Sequence, residues 1–386
     1  MSDAEFVSRA FVDDPYPFYQ RWRAEAPIWW SDHLGGWVIA RYADVSKVLV
    51  DYRTFGQSYT SEAPLVDALE RVPIGMMDPP THTKVRSAIN PDFRRRPIEE
   101  KMRALVERSV DEALAGLPAH GAFELKERYV RPIVRAAIAA LMGTDDTDRL
   151  MRYYEQVMDY LKEGRVRAAG PELVEVGRQA GRDLMAYLRE LRARKEREPG
   201  PDLLSDFVQR GIAPDDIDVV AAQIVMAGEE SPTRGIATTL GALLSHPEAL
   251  RQVRRDPSLV GPAFEEALRW VSPVQVKGRR ALKATVLDGV EIDAGQEVTA
   301  LLGSANRDEA KYADPDSYDV SRRNVDHMAF GAGIHVCLGA ALARLEATVA
   351  IQKLLDKYPR LELDPDRPIA FEGLVFRGPT EVWVRA

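Results

Sequence analysis

The stretch Phe330 to Glu346, FGAGIHVCLGAALARLE, decides how the rest of the chain is read, because it carries Cys337, the lone cysteine among 386 residues. One cysteine cannot close an internal disulfide, so the thiol is buried packing, a reactive nucleophile or a metal ligand. Gly331, Gly333 and Gly339 surround it, and glycine stands where a backbone turns tightly or lets something large come close. Downstream, LGAALARLEATVAIQKLLDKY has a helical period, with Leu338, Ala341, Leu342, Leu345, Val349 and Leu354 as an apolar stripe. Cys337 is therefore expected at a helix start, where unpaired N–H groups and the positive end of the macrodipole stabilise a thiolate. A thiolate on a glycine-rich loop, with room above it, suits a flat iron macrocycle.

The chain exceeds the usual size of a single core, yet no Gly/Ser linker, low-complexity tract or repeat divides it. One domain over residues 1–386 is expected: mainly α, with a smaller β-rich lobe built from N-terminal and C-terminal segments. A net charge of -8 argues against bulk nucleic-acid binding. The segment MSDAEFVSRAFVDDPYPFYQRW has neither a signal-peptide core nor a membrane span, and a single cysteine adds to a cytoplasmic expectation.

Periodicity predicts helices over Pro15 to Glu25, Tyr42 to Asp51, Glu99 to Leu117, Tyr129 to Met142, Asp146 to Glu163 and Pro171 to Arg197. The last two are joined by Gly164 to Gly170. Trp37 to Arg41 reads as a strand, and Arg53 to Pro73, with Gly56, Ser58, Ser61 and Pro64, as a long loop. After Pro273, alternating apolar residues with turns at Asp288-Gly289 and Ala294-Gly295 read as short antiparallel strands. The tail from Ile369 to Ala386 reads as paired strands turning at Leu374, Val375 and Phe376.

Three further segments carry chemistry. In MMDPPTHTKVRSAINPDF, residues 76 to 93, Thr81 is a candidate cap, and His82 and Arg86 lie one turn apart, so two cationic donors could clamp a carboxylate. Pro214 to Ser245 reads as a single helix, roughly 48 Å long, interrupted by AGEESPTRG at 227 to 235. Proline there lacks the N–H that would bond Gly228, and a kink beside a hydroxyl and carboxylates is a place to hold water. In EEALRW, Glu266 and Arg269 share a helix face; such a pair is usually a surface bridge of small value.

Phe330, Gly333, His335, Cys337 and Gly339, with D-P-P-x-H-x-x-x-R at 78–86, A-G-x-[Asp/Glu] at 227–230 and E-x-x-R at 266–269, resemble the cytochrome P450 family in residue type, order and spacing. The resemblance implies haem b (iron protoporphyrin IX) with Cys337 as axial iron ligand, and Phe330 and Gly339 shaping the haem loop. It implies His82, Arg86, His335 and Arg279, or alternatively Arg280, as propionate donors. Glu266 and Arg269 become a buried pair locking a third member, Arg322 or its neighbour Arg323.

Glu230 and Ser231 become the proton relay, with Glu229 or Thr233 as substitutes, although Ser231 stands where the family has threonine and Pro232 follows it. Val225, Val274, Val276, Leu374 and Phe376 are the expected substrate pocket, apolar and so suited to a hydrophobic small molecule. The implied activity is a monooxygenase placing one oxygen atom from O2 into such a substrate, by hydroxylation or dealkylation. Electrons would come from a separate ferredoxin-like protein, and the run Arg94, Arg95, Arg96, Lys101, Arg103 is a candidate docking patch beside its reading as a solvated turn. The departure at Ser231-Pro232 keeps open a haem-thiolate peroxygenase, an oxidative-coupling enzyme or a haem-binding protein without turnover.

Overall fold

The computed structural model describes residues 5–6, 8–57, 63–166, 170–323 and 325–386. Residues 58–62 of the expected long loop, Ser58 and Ser61 among them, and 167–169 of the expected Gly164 to Gly170 connection lie outside these. The chain divides into two compact units: Met1–Gln57, Val110–Pro132 and Glu230–Ala386 form the first, Ser58–Ser109 and Ile133–Glu229 the second.

The first unit holds the sheets. Its main sheet runs in the order Ile28–Ser31, Gly36–Ile39, Glu297–Leu301, Val276–Ala281, Phe55–Gly56, antiparallel except where Gly36–Ile39 lies parallel to Glu297–Leu301. Alternation of apolar residues sets the register: Val298 and Ala300 turn into a core with Ile39, Val45, Leu49 and Leu302, while Val38 and Leu301 meet Tyr19 and Trp22 on the other face. The turn Asp288-Gly289, with φ of 45° and 80°, closes the expected hairpin between Thr285–Leu287 and Val290–Ile292. The tail pairs Phe371–Glu372 with Gly378–Pro379, and Phe376 bridges to Val274. Helices Glu230–Ser245, Val260–Trp270 and Ala340–Lys357 pack on one another within this unit.

In the second unit every described helix or strand is helical. Thr147–Val166 packs along Pro171–Arg197, whose Gly177 lets Tyr160 approach: a Cβ there would sit 2.4 Å from the tyrosine's own Cβ. Pro171 at the first helical position and a cationic last turn (Arg194, Lys195, Arg197) explain why the expected bounds of that helix hold to the residue.

Some expectations need correction. Inside the expected Arg53 to Pro73 loop lie a short strand, Phe55–Gly56, and a helix, Pro64–Leu69, that again starts on proline. Thr81 is the first residue of Thr81–Ile89 and does not cap it; Pro80 occupies the cap without a side-chain bond. The expected single helix from Pro214 to Ser245 is two, Pro214–Gly228 and Glu230–Ser245. Pro232 thus falls in a first turn, where its missing N–H costs little, and the interruption lies upstream of it at Glu229.

Candidate active site

Cys337 is exposed. Its amide donates to the Phe330 carbonyl at 2.8 Å, closing a loop that turns at Gly331 (φ 70°) and Gly333 (φ 69°). Gly333 is irreplaceable on two counts: its φ is left-handed, and a Cβ would lie 2.8 Å from the Leu49 carbonyl oxygen and 3.0 Å from Val50 Cα. Gly339 is different, with φ -81° and only Cys337 Sγ, at 4.0 Å, near an added Cβ. The helix starts at Ala340, three residues later than the thiol, so Cys337 lies ahead of the first turn and not in it. Val336 beside the thiol is 44% exposed, an accessible apolar side chain next to sulfur.

Arg279 is buried on the strand Val276–Ala281, and its Nη1 donates to the Gly278 carbonyl. Strand alternation turns Arg280 the other way, onto Glu297 at 2.5 Å, which removes it as the alternative donor. His335 ends a single 3-10 turn, Gly333–His335, inside the same loop. An accessible thiol, a buried guanidinium, an imidazole and a loop with glycines at 331, 333 and 339 form a donor set suited to an anionic, iron-bearing macrocycle.

What holds the loop is a network in the first unit. Glu266 accepts both Arg269 nitrogens at 2.8 Å, Arg322 Nε at 3.1 Å and the Asp319 amide at 3.1 Å. Arg322, not Arg323, is therefore the third member. Arg269, fully buried, also donates to the carbonyls of Asn306, Pro315 and Ser317. Asn306 in turn accepts the Met328 amide at 2.7 Å, so the fixed guanidinium sets where the loop begins.

A second clamp escaped the sequence reading. Glu265 accepts from His327 at 3.2 Å, before the loop, and from Arg344 at 2.7 Å, after it. Burial pushes its carboxyl up, but the hydrogen bonds from His327 and Arg344 outweigh burial and hold it at about 2. Arg344 also stacks over Phe330, 4.6 Å from its centroid. The signal was the doubled glutamate of EEALRW: neighbours on a helix point about 100° apart, so each carboxylate needs its own partner. Glu346 was missed as well; burial raises its pKa well above the ordinary carboxylate value.

Glu230 is buried and paired, with Arg234 Nε at 2.6 Å. Ser231 is half-buried beside it, and Thr233 Oγ1 is buried with no partner among the described residues. Val274, Val276, Leu374 and Phe376 are half-buried in the first unit, and the Gln275 amide bonds the Val375 carbonyl at 2.8 Å.

In the second unit, His82 is buried and Arg86 half-buried on Thr81–Ile89. Burial, then the Arg86 charge, lowers the His82 pKa below its ordinary value. Glu229 is fully buried and bonds Arg135 at 3.3 Å. Val225, on Pro214–Gly228, has no accessible surface. Of the basic run, Arg96 pairs with Glu100, Arg103 with Glu99, and Lys101 with Asp206; Arg94 and Arg95 are exposed. No helix among the described residues is long and apolar enough to cross a membrane.

Comparison with known proteins places the whole chain in a family. Residues 172–378 match the family model Cytochrome P450. The chain is 35% identical over 381 residues to cytochrome P450 107B1 of Saccharopolyspora erythraea, covering 92% of this chain and 91% of that protein. To the 6-deoxyerythronolide B hydroxylase of the same organism it is 30% identical, covering 99% and 98%. Among solved structures, P450BioI bound to an acyl carrier protein ligated with hexadec-9Z-enoic acid superposes with a TM-score of 0.89 at 28% identity, covering 97% of this chain and 99% of that one. The chain belongs to the cytochrome P450 family, haem b-dependent monooxygenases that act on small organic molecules with O2 and externally supplied electrons.

Proposed function

We propose that Cys337 is the axial iron ligand, that Arg279, His335, His82 and Arg86 are propionate donors, and that Phe330 and Gly339 shape the surface against the macrocycle. The observation that carries this reading is the exposed thiol on a loop whose glycines keep Cβ atoms away and whose ends are pinned by Glu265 and Asn306. Haem, when bound, supplies the oxygen-insertion chemistry that no side chain can perform. The chain's own residues position, exclude and deliver. Ser231 Oγ is the hydroxyl that hands on a proton, and Glu230, as the carboxylate partner of Arg234, orients it.

Apolar side chains at Val274, Val276, Leu374 and Phe376 select a largely hydrophobic substrate. A hydrophobic substrate accords with the hexadec-9Z-enoic acid carried by the acyl carrier protein in the P450BioI complex. The electron donor is an acidic ferredoxin-like protein drawn to exposed Arg94 and Arg95, with less charge than the sequence run offers since three of its members are internally paired. A cytoplasmic site of action accords with a chain that carries a single cysteine.

The test is the reduced carbon monoxide difference spectrum. The unaltered chain gives a thiolate-type band and Cys337→His gives an imidazole-type band. Identical spectra from both overturn the assignment.

A further inference from the structure

Arg234 stands on the first turns of Glu230–Ser245 and is 9% exposed. Nε holds Glu230 at 2.6 Å, Nη2 lies 3.9 Å from Glu372 on the tail hairpin, and Nη1 is buried with no partner among the described residues. A guanidinium carries five N–H donors, and burying one this incompletely satisfied costs free energy unless it has another purpose. The hairpin is built around it. A Cβ on Gly378 would lie 2.8 Å from Arg234 Cβ and 3.0 Å from its Cγ, so the hairpin's returning strand rests directly on the arginine stem. The hairpin itself is short, with two paired positions, Phe371 with Pro379 and Glu372 with Gly378. Its turn is tight: Gly373 adopts φ 100°, and a Cβ there would lie 1.8 Å from the Phe376 carbonyl oxygen.

From this arrangement we infer that Arg234 is a positioning residue that fixes the height of the tail hairpin, and with it the placement of Leu374 and Phe376, so that it sets which substrates are accepted. The inference rests on the reading that this tip lines the pocket. Glu230 anchors the guanidinium from the helix side, Glu372 draws the hairpin stem to it, and Gly378 gives the contact its closeness. Losing any of the three lets the tip shift without disturbing Cys337 or its loop.

The experiment compares Arg234→Met, Arg234→Lys, Glu372→Gln and Gly378→Ala in the haem-loaded chain. One readout is amide hydrogen exchange at Thr380, whose N–H bonds the Ala370 carbonyl at 2.9 Å. The other is spectral titration with imidazole and 4-phenylimidazole, which share an iron-binding nitrogen but differ in apolar bulk. Met, Gln and Ala variants should each speed exchange and change 4-phenylimidazole affinity by about fivefold, the scale of a partly exposed ion pair, with imidazole affinity unchanged. Lysine, which keeps the charge but not the fork, should fall between. Unaltered exchange, or equal shifts for both probes, overturns the inference. Should Arg234→Met fail to retain haem, Gly378→Ala decides, because it leaves every charge in place. The carbon monoxide band of the unaltered chain is recorded first, and its absence overturns the haem reading and this inference together.

Discussion

Replacing Glu266 with glutamine keeps the shape of the side chain and removes the charge that three groups depend on. Arg269, with no exposed surface, and Arg322, largely covered, would then lack their common anion. Breaking one partner of a buried pair costs about 3–5 kcal/mol. At roughly 2.1 cal/mol/K per residue, 386 residues give an unfolding entropy of about 0.8 kcal/mol/K, so the loss should lower the melting temperature by about 4–6 °C. Arg322→Gln leaves the bidentate Glu266–Arg269 pair in place and should cost about 2 kcal/mol, or about 2 °C. Thermal unfolding by circular dichroism, with haem absorbance per protein as a second readout, measures both. Because Arg269 fixes Asn306 and Asn306 fixes Met328, haem content should fall with stability in Glu266→Gln. A glutamine variant melting within about 1 °C of the unaltered chain, or no worse than Arg322→Gln, would refute this account of the network.

Other outcomes follow from the same geometry. Glu265 has its pKa lowered in the fold from 4.5 to about 2, so its contribution is complete above the ordinary value and is lost as pH falls from there toward 2; between pH 7 and pH 4, Glu265→Gln should lose about 1 kcal/mol less stability than the unaltered chain, read from denaturant midpoints. Gly333→Ala, which forces a left-handed φ and meets backbone at 2.8 Å, should cost well over 1 kcal/mol and reduce the carbon monoxide band, whereas Gly339→Ala should leave the fold intact. Ser231→Ala should lower product formed per reductant consumed by about tenfold, and coupling equal to the unaltered chain would count against the relay.

What the sequence made legible depended on how local the signal was. Pro171 and the cationic end of its helix fixed both boundaries, and Asp288-Gly289 announced its hairpin, because each acts within one turn of chain. Glu266 and Arg269 could be paired from their spacing, yet choosing Arg322 over Arg323 needed the fold, since adjacent residues differ only in direction. The interruption at Glu229 was misplaced for a related reason: Pro232 looked like the breaker, but proline is harmless in a first turn, so the sequence marked the neighbourhood and not the residue. Arg234 went unremarked because its meaning lies in a hairpin more than a hundred residues away.

One of the four points at which the chain divides falls between two consecutive carboxylates. Glu229 finds its counter-charge in Arg135 and Glu230 in Arg234, each from its own side of the division. A chimaera joined at that peptide would inherit each buried acid together with the base that neutralises it, and neither parent would contribute an orphan. The interruption between Pro214–Gly228 and Glu230–Ser245 is thus one of the four junctions, with 57/58, 109/110 and 132/133, at which the all-helical unit would be exchanged between relatives while leaving the thiol and its supports untouched.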